Sequence, residues 1–175
     1  CELAQSFARL GASVTQVEMA PRILLREEAE VAALITAQLQ QDGVTVLTGH
    51  QAVCCERVGA DQILVVKAAD GSEQRLVFDR LLCAVGRVAR LEGYGLDTLG
   101  IATGRTLTTN AYLQTRYPHI YAVGDVTGPY QLTHAAAHQA GYAAVNALFG
   151  GFKRTPVDYR VIPWVTFTDP EVARV

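Results

Sequence analysis

The chain has 175 residues, 50% of them apolar, and a formal net charge of −2 at pH 7. A near-neutral chain without a basic stripe gives no reason to expect a nucleic acid as partner. Because no apolar run reaches the roughly 18 residues of a membrane-spanning helix, we expect no membrane partner either. The composition predicts a packed core.

The 4 cysteines form neither a Cys-x-x-Cys pair nor a Cys-x4-Cys redox pair. Cys54 and Cys55 are adjacent, and neighbouring side chains of a strand point to opposite faces, so we interpret both as ordinary strand residues. Cys83 lies in an apolar run and is predicted to be in the core. This use of cysteine fits a reducing cytoplasm.

The chain opens with a predicted helix over residues 1–10, which Gly11 ends. Because residue 1 already lies inside this helix, we expect the chain to be a fragment. Residues 12–17 then predict a strand that ends at Glu18. The apolar side chains of the helix fall on one face at helical spacing: Leu3, Phe7 and Leu10.

Glu18 is a candidate ligand of a nucleotide ribose. In dinucleotide-binding folds an acid about 20 residues after a glycine motif binds the ribose 2′-hydroxyl, and here that motif would fall at or before Cys1. A carboxylate would repel a 2′-phosphate, so this interpretation favours NAD over NADP. Arg22, close by, keeps dual use open, and a solvated strand end is the plain alternative for Glu18.

The next elements continue an α/β pattern. Residues 27–42 predict a helix and residues 44–47 a parallel strand. Residues 50–85 are a series of short β runs, with a hairpin signal at Asp70-Gly71. The last predicted strand, residues 81–85, ends at Gly86. The helix has an apolar stripe formed by Val31, Leu34, Ile35 and Leu39.

A second ligand edge is predicted after a connection over residues 91–109. Residues 120–123 predict a buried strand, followed by Gly124 and Asp125. Ligands of α/β sheets bind at the carboxyl ends of strands, where a glycine permits close approach and an acid can accept a hydrogen bond from a sugar hydroxyl. Gly-Asp alone is equally compatible with an Asx-type turn.

An alanine-rich helix follows over residues 135–149, with Thr133 as the expected N-cap and Gly150 as the stop. Its free N–H groups can stabilise an electron-rich ligand. His134 and His138 lie one turn apart, but without a third ligand we predict no metal site.

Thr115 followed by Ile120-Tyr121-Ala122-Val123-Gly124-Asp125 resembles the second FAD-binding motif of the pyridine nucleotide-disulphide oxidoreductase family. The resemblance implies that Gly124 and Asp125 hold the ribitol of FAD. It also implies that the helix start faces the flavin ring through the segment Gln131, Leu132, Thr133 and His134.

Glu2 and Ala4 fit the end of the NAD motif of the same family, Gly-x-Gly-x-x-Gly-x-Glu-x-Ala. The resemblance therefore implies that Glu18 binds the NAD ribose, that Ala52 lies near the adenine and that Gly86 approaches the cofactor. The family has Gly-Arg-x-Pro-Asn at this glycine. This chain lacks the Pro-Asn, so the role of Arg87 is left open.

The implied fold class is α/β, a fragment of a Rossmann-like, three-layer dinucleotide-binding (FAD/NAD) fold with the start of an α+β dimerisation domain. Residues 1–90 would be the NAD-binding domain without its first strand and glycine motif. Residues 91–152 would be the second segment of the FAD-binding domain. Residues 153–175 would be the start of the dimerisation domain, with a predicted strand over residues 161–168.

The implied function is that of an FAD-dependent oxidoreductase, a cytoplasmic homodimer that passes hydride from NAD(P)H, with NADH preferred, through FAD to a disulfide or small-molecule substrate. The redox cysteine pair, the FAD glycine motif and the acid/base pair of the family are not in this chain. We therefore assign no catalytic residue and expect the chain alone not to be catalytic. The alternative is a non-catalytic nucleotide-binding or interaction module.

Overall fold

The computed structural model describes residues 1–101 and 104–175. They form two compact units: residues 1–83 with 163–175, and residues 84–162. The first unit combines helices with parallel and antiparallel strands, and the α/β fold class is confirmed. The three domain boundaries expected from the family stay a prediction. Residues 102 and 103 of the predicted connection lie outside the described residues. No described helix is both long and apolar enough to cross a bilayer.

The first unit begins with the alternating elements that the sequence predicts. Val14 pairs with Val44 and Glu18 with Thr48, so β1 and β2 are parallel neighbours. A parallel pair needs a crossover, and the helix between the two strands supplies it. The elements are α1 (Glu2–Arg9), β1 (Val14–Glu18), α2 (Ala29–Gln41) and β2 (Val44–Thr48).

The core of this unit lies between α2 and the parallel strands. It is built on Ile23, Ile35, Leu39 and Val44, with Cys1, Ala4 and Ala8 of α1 packed against it. Because this small-residue face of α1 is turned to the core, the apolar face predicted for α1 is exposed, with Leu10 82% accessible. In α2, Leu34 is also exposed.

A short hairpin at the end of the chain packs on α1. It is formed by β6 (Trp164–Thr166) and β7 (Val172–Arg174). The predicted strand over residues 161–168 is therefore shorter than expected. Gln5, only 4% exposed, anchors the hairpin, since it donates to the Asp169 carbonyl (2.8 Å) and accepts from the Asp169 N–H (2.8 Å).

The predicted β runs between residues 50 and 78 form an antiparallel meander in the order β3-β4-β5. A turn at Asp70-Gly71 joins β4 to β5, as predicted. Cys54 and Cys55 lie on β3 as exposed free thiols. The strands are β3 (His50–Val58), β4 (Asp61–Ala68) and β5 (Glu73–Phe78).

The strand predicted over residues 81–85 is absent. The segment has no regular structure, and Cys83, expected in the core, is exposed. A strand needs a neighbour to satisfy its N–H and C=O groups, and no described strand pairs with this segment. Apolar composition was therefore not sufficient to form it, and Gly86 does not follow a strand.

The second unit is organised around α3 (Thr133–Phe149). A 3-10 turn over Gly124–Val126 precedes it, and the helix ends at Gly150 as predicted. The predicted strand at 120–123 is reduced to a single bridge between Gln114 and Tyr121, and only Ala122 of its four residues is buried. The core contains Leu96, Ile101, Leu107 and Ala122.

Replacement of Leu39 by Ala should destabilise the first unit, because the Leu39 side chain is fully buried in the core cluster. We expect the free energy of unfolding to fall by about 2–5 kcal/mol, measured by denaturant unfolding. Gln40→Ala, at an exposed position of the same helix, should change it by less than about 0.5 kcal/mol. Equal losses for both variants would contradict this account of the core.

Candidate functional site

Gly124 forms a tight corner directly before α3. Its φ of +77° lies in the left-handed region that L side chains rarely adopt. A Cβ built on Gly124 would also lie 3.1 Å from the Ala136 Cβ, closer than ordinary packing allows. The glycine is therefore required twice, by the backbone and by the contact with the helix.

Hydrogen bonds hold this corner in place. The Thr127 hydroxyl donates to the Gly124 carbonyl at 2.9 Å, and the Thr127 N–H donates to the same oxygen at 3.0 Å. The Leu107 N–H donates to the Val126 carbonyl at 2.8 Å. These hydrogen bonds shape the segment that presents Asp125, and none of them involves the Asp125 side chain.

The Asp125 carboxylate is about one-third exposed and lies at the surface of the corner. Its Oδ2 accepts a hydrogen bond from Arg87 Nη1 at 3.2 Å. The Arg87 side chain is 71% exposed, so water screens this ion pair and the guanidinium holds the acid only weakly. The sequence left Arg87 without a role, and the structure makes it the counter-ion of Asp125.

The start of α3 differs from the prediction in one respect. Leu132, not Thr133, is the N-cap, with an extended backbone (φ −132°, ψ 136°), and Thr133 is the first helical residue. The error arises because the cap is defined by the backbone angle at which the chain enters the helix, and a leucine occupies that position. No side-chain hydrogen bond from Leu132 caps the helix.

The corner and the helix start belong to one piece of structure. Ala136, which packs on Gly124, lies in the first turn of α3, and its N–H donates to the Leu132 carbonyl at 3.0 Å. Gln131 and Leu132 are half-buried, whereas Thr133 and His134 are exposed. The structure thus brings together the predicted flavin-side residues around the contact of Gly124 with α3.

Gln139 is a site residue that the sequence analysis missed. It is fully buried in α3, its Oε1 accepts from the Gly124 N–H at 2.5 Å, and its Nε2 donates to the Tyr159 hydroxyl at 3.0 Å. The available signal was a pair of amides, Gln139 and Asn146, at heptad spacing in an alanine-rich helix. Such a face is buried, and a buried amide needs partners.

His138 is used structurally. A carbonyl only accepts, so the His138 Nε2–H donates to the Asp158 backbone oxygen, at 2.8 Å. Hydrogen bonds from Arg160 lower the pKa of the Asp158 carboxyl to about 2. Among residues 1–101 and 104–175 no group of three or more His, Cys, Asp or Glu is arranged to hold a metal.

The predicted nucleotide-side residues lie in different surroundings. Glu18 is the last residue of β1, half-buried, and its Oε1 accepts from the Ala20 N–H at 2.8 Å. Ala52 lies exposed on β3 opposite Val66, just before a bulge. Gly86 has a φ of +122°, but a Cβ there would meet nothing within 4 Å, so only its backbone requires glycine.

Replacement of Gly124 by Ala should destabilise the second unit, because the left-handed φ and the contact with Ala136 both oppose a side chain. We expect a loss of about 1–3 kcal/mol in the free energy of unfolding, measured in denaturant. Gly141→Ala is the matched control, since Gly141 lies inside α3 with open space around it and should gain about 0.5–1 kcal/mol. An unchanged free energy of unfolding in Gly124→Ala would refute the claim that both the backbone and the contact with Ala136 require glycine.

Residues 1–140 match the family described as pyridine nucleotide-disulphide oxidoreductase. The chain is 39% identical, over 93% of its length, to the dihydrolipoyl dehydrogenase of Mycobacterium leprae. It is 35% identical, over 99% of its length, to the mercuric reductase of Staphylococcus aureus. The chain spans 35% and 32% of these two relatives, respectively.

Solved structures agree in fold. The structure of LpdA from Mycobacterium tuberculosis superposes with a TM-score of 0.82 at 29% identity, covering 98% of this chain and 37% of that one. The flavoprotein disulfide reductase RclA of Escherichia coli gives a TM-score of 0.84 at 27% identity, covering 98% of this chain and 38% of that one. The chain belongs to the pyridine nucleotide-disulphide oxidoreductase family.

Proposed function

We propose that the chain is the part of an FAD-dependent oxidoreductase that receives NADH and holds the ribitol and ring edge of the flavin. Hydride would pass from NADH through FAD to a disulfide or another small-molecule acceptor. The observation that carries this proposal is the Gly124-Asp125 corner packed against the uncapped start of α3.

The chemistry of these groups fits a flavin. Members of the family use FAD and NAD(P)H, and bound FAD supplies the site that accepts hydride. The Asp125 carboxylate can accept a hydrogen bond from a ribitol hydroxyl, and Gly124 offers no side chain to obstruct it. The first-turn N–H groups of α3, with the positive end of the helix dipole, suit the electron-rich O2 edge of the flavin.

Glu18 fits a ribose in a similar way. One carboxylate oxygen accepts from the Ala20 N–H, which orients the side chain and leaves the second oxygen to accept from a ribose hydroxyl. A negative charge at this position disfavours a 2′-phosphate, so the proposed preference is for NADH. Ala52 remains our candidate near the adenine, and Gly86 remains our candidate for a close approach to a cofactor, each on family resemblance.

The final acceptor belongs to a part of the enzyme that this chain does not carry. Its cysteines at positions 54 and 55 are exposed free thiols on a strand, and none of the four cysteines forms a redox pair with the family spacing. The relatives include a dihydrolipoyl dehydrogenase and a mercuric reductase, which differ in acceptor. We propose a cytoplasmic homodimer in which the remaining segments supply the acceptor site.

The decisive experiment is a visible absorption spectrum of the purified full-length gene product, followed by NADH and then NADPH without oxygen. We expect a flavin band that NADH bleaches in preference to NADPH. A preference for NADPH would retain the flavin and overturn the role of Glu18. A protein that stays colourless when FAD is supplied would favour a non-catalytic nucleotide-binding module.

Asp125→Ala should weaken FAD binding, because it removes a charged acceptor from the ribitol. We expect the Kd of FAD for the full-length apoprotein to rise by about 10- to 100-fold, measured by quenching of flavin fluorescence. Asp97→Ala, at an exposed acid elsewhere in the second unit, is the control and should leave the Kd unchanged. An unchanged Kd in Asp125→Ala would remove the corner from the flavin site.

Glu18→Gln should relax the choice of nucleotide. The amide oxygen can still accept from the Ala20 N–H, so the backbone is retained while the charge that repels a 2′-phosphate is lost. We expect the ratio of kcat/KM for NADH to that for NADPH to fall by about tenfold. Glu30→Gln, at an exposed acid of the first turn of α2, should keep the ratio, and the same ratio in Glu18→Gln would contradict the assignment.

A further inference from the structure

We propose that Gln139 is a positioning residue of the flavin site, which fixes the Gly124-Asp125 corner relative to the start of α3. The inference rests on the proposed function, since it takes the corner and the helix start as the two halves of the flavin site. Gln139 is fully buried and would act through the corner, not by contact with the flavin.

A short connection separates the two halves of the site. Asp125 lies on the 3-10 turn, the N–H groups lie at the start of α3, and the connection between them contains the turn at Gly128-Pro129. A contact between the 3-10 turn and the body of the helix is needed to keep Asp125 and the N–H groups in one arrangement.

Gln139 supplies that contact. Its side chain is fully buried, and a buried amide is costly unless both of its ends are paired. The Gly124 N–H can only donate, so the oxygen of the amide must face it and the NH₂ group must face Tyr159. The orientation of the amide is therefore determined by chemistry. Gly124 is buried as well, and no water can replace the lost acceptor without a rearrangement.

The NH₂ end of the amide is connected, through Tyr159, to the segment just before the helix start. The Tyr159 ring packs on the Tyr130 ring with centroids 5.2 Å apart, and Tyr130 lies in the connection just before α3. Gln139 thus contacts the corner directly and the connection through two aromatic rings. One side chain ties together both ends of the segment between Asp125 and the helix.

The same helix offers a matched control. Asn146 is 3% exposed, its Nδ2 donates to the Thr155 carbonyl at 2.8 Å, and its Oδ1 accepts from the Thr155 N–H at 2.8 Å. Deleting its amide removes these two hydrogen bonds and a longer one to the Tyr112 carbonyl (3.5 Å), so the loss is at least as large in number as that of the two bonds of Gln139. It leaves the contact between the corner and the helix untouched.

The test compares Gln139→Met with Asn146→Leu in the full-length protein, reading the Kd of FAD, the visible circular dichroism of bound flavin and the unfolding midpoint. We expect both variants to lose stability. Only Gln139→Met should raise the Kd by about tenfold or more and change the flavin spectrum, since only it releases the corner. Amide exchange at Gly124, followed without FAD, should accelerate in Gln139→Met and stay slow in Asn146→Leu.

Tyr159→Phe removes the hydrogen bond between Gln139 and the Tyr159 hydroxyl but keeps the one between Gln139 and the Gly124 N–H. It replaces Gln139→Met in the test if that variant does not fold. We expect its Kd to rise by about two- to fivefold, with Gly124 exchange still slow. The inference would be overturned, and the proposed function kept, by either of two results. One is a wild-type Kd and flavin spectrum in Gln139→Met. The other is an equal rise in the Kd of FAD in Gln139→Met and Asn146→Leu. A wild-type protein that binds no FAD would overturn the proposed function and this inference together.

Discussion

The contact between Gly124 and Ala136 is the constraint on which the second unit depends. It brings a left-handed corner so close to α3 that a Cβ on Gly124 would lie only 3.1 Å from the Ala136 Cβ. Because the helix lies this close, the amide of Gln139 can reach the Gly124 N–H, and the acid after the glycine is held beside the first turn. A larger residue at either position would have to push the corner away from the helix.

A different constraint governs the first unit, where strands form only beside a partner. β1 and β2 hydrogen-bond to each other and enclose a core with α2, although neither is long. Residues 81–85 have a more apolar sequence than either, yet they remain without regular structure, since no described strand pairs with them. The exposed side chains of Leu81, Leu82 and Val85 follow from that missing partner.

Local patterns in the sequence predicted most helices and strands and the Gly124-Asp125 element, because periodicity and turn residues are local properties. They did not predict which face of α1 is buried, since Ala4 and Ala8 pack on a core formed by distant residues. They placed the cap of α3 at Thr133 instead of Leu132, because a cap depends on backbone angles. Gln139 escaped detection, as its partners Gly124 and Tyr159 are distant in sequence.

The leucine at the start of α3 would couple the stability of the helix to the proposed ligand. Because Leu132 has no side-chain acceptor, the helix begins without the side-chain cap that commonly satisfies a first-turn N–H group. A flavin oxygen at this place would act as the cap that the sequence omits. The first turn would then be more stable in the holoprotein than in the apoprotein, so that cofactor supply would change the fraction of the protein that resists unfolding and proteolysis.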